Sequence, residues 1–138
     1  MATVITGHIG IGPFVSGVAI VAADNFSARY DLDRIKGVFS RPTHKLYGES
    51  YVGKILVLNA AKGGVATAWM LSEMKSRAMA PAALLLNYAN PIIAQGAAFA
   101  DFSLVDRFET DITVAVKTGD TLQVNPLAGI VTINEGAL

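Results

Sequence analysis

The chain has 138 residues, enough for one domain with a real core, and 52% apolar against 16% charged residues excludes a globally disordered chain. Eleven basic side chains balance eleven acidic ones, so no net field draws in a nucleic acid or an anionic membrane. Cysteine is absent, which removes disulfides, thiol nucleophiles and iron–sulfur ligation by this chain.

No apolar run, that of residues 82–86 included, approaches the length of a membrane span. The N-terminal Met-Ala-Thr-Val-Ile-Thr-Gly lacks the basic region and apolar core of a signal peptide, so the expected compartment is the cytoplasm. So low a charged fraction suggests that part of the surface is covered, by a partner chain or by another copy.

In chain order, β-branched stretches at Val4 to Ile9 and Val15 to Val21 predict two strands, parted by Gly10, Gly12 and Pro13. Asp24 to Ser50 follows as a polar segment with five arginines and lysines, long for a structureless loop and therefore a functional candidate. Lys54 to Leu58 reads as a strand buried on both faces. Ala60 to Gly64 is a turn into a helix over about 65–77, with Ala66, Trp69, Met70 and Met74 on its apolar face. Ser72, Lys75 and Ser76 take the other face, and Pro81 marks the exit. Ala82 to Asn87 is a second buried strand. Asn90 and Pro91 then supply the cap and first turn of a helix to about residue 100. Asp111 to Val116, Thr121 to Val124 and Ile130 to Ile133 complete the prediction as short strands. Strands at both ends around a central β-α-β-α unit indicate a single mixed β/β/α domain over 1–138, with two main helices.

Four places carry candidate chemistry. In the turn after Leu58, the N–H groups of Gly63, Gly64 and Val65 at a helix start, with Lys62 beside them, suit an acid group. The same turn also reads as a plain strand-to-helix connection, and its spacing is not that of a P-loop. In the polar segment Arg29 offers a fork for a carboxylate, with Asp31 and Asp33 placed to orient it or simply to pair with it. His44 is a candidate acid, base or phosphate acceptor, or a histidine satisfying local hydrogen bonds. His8 has no evident partner, and two histidines so far apart have no metal-ligand spacing. Residues 88–96 form a second helix start after a buried strand, and two such starts after adjacent strands open on one edge of a sheet.

Taken together and in this order, these segments resemble the small subunit of aconitase X proteins. That family has a Ser-Phe-x-Gly-Gly-x-Asp loop, His-x-x-x-Gly-Glu-Ser, a buried strand and a Gly-Arg-Gly-Ser-Ser turn. An Ala-Pro-Ala-Ala-Ile strand, a Pro-Ile-x-Ala-x-Gly-Ala helix and a Gly-Asp-x-Val-x-Val hairpin follow. The matching residues here are Ser27 with Asp33, then 44–50, 53–58, Lys62 with Gly63, 80–86, 91–97 and 118–124, so the resemblance spans nearly all of 15–133.

The resemblance implies a swivelling β/β/α fold like the fourth domain of aconitases. It also implies a large partner subunit holding the cysteines of an iron–sulfur cluster, and dehydration of a small hydroxy acid such as cis-3-hydroxyproline or phosphomevalonate. Together with the residue reading above, it makes Ser27, Arg29, Lys62, Gly63, Gly64 and Val65 the expected substrate-binding residues, with Thr67 and His44 as the expected catalytic ones and no metal ligand in this chain. The pattern departs where the family turn has serines: Gly64, Val65, Ala66 and Ala68 stand there, and Thr67 is the nearby hydroxyl. Lys62 replaces the arginine and loses its bidentate fork, and Tyr30 and Asp31 replace the glycine pair. Two other readings stand beside the hydro-lyase subunit. One is a non-catalytic binding or regulatory subunit on the same fold; the other is a phosphohistidine carrier using His44.

Overall fold

Residues 55–58 and 83–86 are buried without exception, as strands covered on both faces require. Their side chains divide by period two. Leu56, Leu58, Leu84 and Leu86 face one core, while Ile55, Val57, Ala83 and Leu85 face a second.

The computed structural model describes the backbone of residues 2–26, 31–61 and 65–134, and the side chains of these apart from 2 and 65–68. Its strands are β1 (Ala2–Thr6), β2 (Val15–Val21), β3 (Leu32–Asp33), β4 (Val38–Phe39), β5 (Ile55–Ala60), β6 (Ala83–Tyr88), β7 (Ser103–Asp106), β8 (Thr121–Asn125) and β9 (Ile130–Asn134). The helices are α1 (Val65–Ser76), α2 (Pro91–Ala100) and α3 (Ile112–Ala115). No helix among the described residues is long and apolar enough to cross a membrane.

The main sheet runs β1-β9-β8-β2-β5-β6-β7. β2 belongs to two ladders. Val15 to Val18 pair antiparallel with β8, and Ala19 to Val21 pair parallel with β5. The sheet therefore turns a corner within one strand. On one side lies the antiparallel layer β1-β9-β8, on the other the parallel set β5-β6-β7. The second core fills the space between these layers. The first lies between the parallel strands and the pair α1 and α2, which pack on each other. This is the β/β/α arrangement expected from the sequence.

Four differences from the sequence reading have local causes. Asp111 to Val116, read as a strand, is the short helix α3. The Asp111 carboxylate accepts from Thr113 N–H at 3.0 Å, and Asn87 Oδ1 accepts from Ile112 N–H at 2.9 Å, so two side chains cap a turn that a β-branched run would otherwise extend. β7, absent from the reading, is a four-residue strand whose identity depends on its parallel partner β6. The first strand ends at Thr6, and Ile9 is exposed. Trp69 is 71% exposed: the buried stripe of α1 is Leu71 and Met74, and Trp69 lies two residues from Leu71, on the opposite side.

The segment 24–50 is less open than its composition suggests. It contains the β3–β4 hairpin, and Phe26, Leu32, Phe39 and Leu46 from it enter the helix-side core.

Candidate functional site

Strands β2, β5, β6 and β7 are parallel, so the segments that follow them gather on one edge. The start of α1 after β5 and the start of α2 after β6 both lie there, as the spacing of the two buried strands predicts.

Backbone pairing continues past the strand ends. Phe26 N–H donates to the Ala60 carbonyl at 2.9 Å, and Phe26 forms a parallel bridge with Ala61. Phe26 directly precedes residues 27–30, and Ala61 directly precedes 62–64. Asn90, at the start of α2, reaches the same place: its Nδ2 donates to the Ala61 carbonyl at 3.5 Å, while its Oδ1 caps Ile93 N–H at 2.8 Å. Three chain segments thus converge at the end of β5. Ser27, Arg29, Lys62, Gly63 and Gly64 lie outside the described residues; Val65 and Thr67 begin α1, their side chains not described.

The described residues that flank 27–30 in the chain, Asp24 and Asp31 among them, belong to a polar cluster. Asp31 is buried and paired with Arg41, whose Nε donates to the Asp31 carboxylate. The Asp33 carboxylate accepts from Ile35 and Lys36 N–H, both at 3.0 Å, and closes the β3–β4 turn. These bonds, foremost that from Lys36, lower its pKa against a smaller opposing effect of desolvation. Asp24 accepts from Asn25 N–H at 2.8 Å and Lys45 N–H at 3.2 Å. Burial is the largest single influence on Asp24 and raises its pKa, but those two bonds and the nearby Arg41 guanidinium outweigh it, and the pKa is lowered.

His44 stands at the centre, its side chain fully buried and stacked on Phe39 at 4.6 Å between centroids. Its Nε2 lies 2.8 Å from the Asn25 carbonyl, and its Nδ1 accepts from Leu46 N–H at 3.0 Å. An inaccessible ring with both nitrogens engaged offers nothing to a phosphoryl donor, which removes the phosphohistidine carrier reading.

Sequence reasoning missed the other flank of the edge. Asn59 and Asn87 are the penultimate residues of β5 and β6; Asn87 Nδ2 donates to Asn59 Oδ1 at 3.1 Å and to Asp111 at 2.9 Å. Beyond them opens a cleft of about 480 Å³ that His8, Tyr88 and Arg107 also line. Its carboxylates serve internal partners, Glu109 accepting from Thr6 N–H and Asp111 from Thr113 N–H. The signal was present as an asparagine at the same position near the end of each buried strand. Among the described residues, no three His, Cys, Asp or Glu side chains group to hold a metal ion.

Comparison with known proteins places this architecture. Thermococcus kodakaraensis aconitase X, in a holo-form crystal structure, superposes with a TM-score of 0.89 at 28% identity, covering 96% of this chain and 99% of that one. A UPF0107 protein solved by NMR gives 0.82 at 30% identity, with 98% and 100% covered. The phosphomevalonate dehydratase small subunit of Methanocella arvoryzae is 32% identical over 94% of this chain and 98% of its own length. That of Methanothrix thermoacetophila is 32% identical over 95% of each. The aconitase X swivel domain profile matches residues 4–133, and the chain belongs to that family.

Proposed function

We propose that this chain is the small subunit of an aconitase X-type dehydratase, acting on a small hydroxy acid of the phosphomevalonate kind. The observation that carries the reading is its near full-length similarity to archaeal phosphomevalonate dehydratase small subunits. The pairing of Phe26 with Ala61 supports it, because the segments continuing from these two residues are those that bear the expected substrate contacts.

Loss of water from a hydroxy acid takes a proton from the carbon beside the acid group and expels hydroxide from the next carbon. The protein must hold the acid group, supply a base and protonate the leaving hydroxyl. In this proposal Lys62 and the N–H groups of Gly63, Gly64 and Val65 hold the acid group. Ser27 and Arg29, which follow β2 in the chain, add further contacts to the substrate. Thr67 stands in for the missing serine. The remaining groups belong to a large subunit, and an iron–sulfur cluster would take its cysteines from that subunit, since this chain has none. Trp69 and Phe99, 71% and 85% exposed on the helix layer, suit a chain that works inside a complex.

Gly64, Val65, Ala66 and Ala68 at the family's serine positions favour one other reading, a binding or regulatory subunit. Co-expression with a cysteine-bearing large subunit separates the two. The expected result is a stable complex burying more than ~1,000 Å². It should dehydrate phosphomevalonate or a related hydroxy acid, and neither chain should do so alone. A stable complex that binds the acid without turnover would favour the regulatory reading, and absence of any complex would refute both.

A further inference from the structure

His44 is the one buried imidazole at this edge, and its hydrogen bonds fix its chemistry. The Leu46 N–H can only donate, so Nδ1 is the acceptor; the Asn25 carbonyl can only accept, so the proton is on Nε2. The ring is a neutral Nε2–H tautomer with no lone pair or proton left for a ligand. Its Nε2 also lies 3.8 Å from Asp24 and 3.9 Å from Asp31. Those residues, with Asn25, stand on either side of residues 27–30. Arg41, three residues before His44, ties Asp31 through both its side chain and its backbone N–H.

We infer that His44 is a positioning residue rather than an acid or base: through its bonds to Asn25 and Leu46, and with Arg41 holding Asp31, it fixes the described backbone that flanks residues 27–30. The inference rests on the dehydratase reading for its kinetic consequence, and on the hydrogen bonds alone for its structural one. The geometry explains why a histidine is needed. The site asks for one donor and one acceptor on a flat ring that also stacks on Phe39, and a neutral imidazole supplies all three. Removing the donor leaves the Asn25 carbonyl of a half-buried loop without its partner, and the loop start is free to shift.

Two conservative replacements divide the ring between them. His44→Gln places an amide N–H near the Nε2 position and keeps the bond to Asn25. His44→Asn places an acceptor near Nδ1 and keeps the bond from Leu46. In the assembled complex, His44→Asn should raise KM roughly ten-fold with kcat per folded complex nearly unchanged, and His44→Gln should restore most of the wild-type KM. In the full chain alone, backbone amide resonances of 24–26 and 31–33 should move in His44→Asn and hold in His44→Gln. A collapse of kcat in both variants, with loss of one limb of the pH profile, would overturn the inference in favour of proton transfer. Unchanged KM in both, with only stability reduced, would overturn it in favour of a purely structural histidine. An inactive wild-type complex would refute the dehydratase reading, and the amide resonances would still decide the positioning role.

Discussion

Folding lowers the proton affinity of Asp111. The Asn87 amide is the largest cause and Thr113 the next, and both hydrogen-bond the ionised form. A carboxyl whose pKa is lower in the folded chain adds stability that is complete above its ordinary value of 3.8 and drains away as pH falls through the folded value. Asp111→Asn keeps an N-cap and removes the titration, so urea midpoints measured into the acid range should fall less steeply than in wild type. The same residue shows what a sequence hides. Ile112, Thr113 and Val114 read as a strand, and only the spatial neighbour Asn87 reveals the cap. At the glycine turn, Lys62→Ala should weaken acid binding by about 1.5–3 kcal/mol, the range of a charge-assisted hydrogen bond. If Thr67 is the base, Thr67→Ala should abolish turnover while binding survives; if it only caps α1, unfolding should show a loss of about 1 kcal/mol instead.

The free side of β7 is covered by the segment between β1 and β2. Ile11 exchanges backbone hydrogen bonds with Leu104 at 2.9 Å each way, and His8 N–H donates to the Asp106 carbonyl at 3.0 Å. This close approach requires glycine, since a Cβ on Gly10 would lie 2.1 Å from the Leu104 carbonyl oxygen. Gly10→Ala should therefore cost about 1–3 kcal/mol in chemical unfolding and expose a strand edge, seen as faster amide exchange in β7. Elements differ in how plainly they are written. β5 and β6 were legible because burial on both faces leaves an unbroken apolar run. α2 was legible because Asn90 and Pro91 announce it. β7 was not, because four residues carry no periodicity and the strand exists through its neighbour. The β3–β4 hairpin was hidden inside a charged stretch whose few large apolar residues alternate with no regular spacing.

Across the whole molecule, the layer order was readable from strands at both ends and a β-α-β-α unit between them. The corner in β2 was not, because both halves of Val15–Val21 look alike in composition and differ only in which strand they meet. The location of the candidate site was readable as an edge, from two helix starts after two buried strands. The cluster around His44 was not, since its partners Asn25, Asp31 and Leu46 come together only in the fold. The pairing of β1 with β9 carries a consequence for how the chain is made. Ala2 lies opposite Asn134, so β1 leaves the ribosome long before its neighbour β9 and waits for it. The stretch from β5 to β7 needs no such wait, because its parallel pairs and both long helices are contiguous in the chain. A nascent chain halted before Thr121 should already shelter the amides of β5 and β6 from exchange while β1 exchanges freely, and an equal degree of shelter in all three would refute this order.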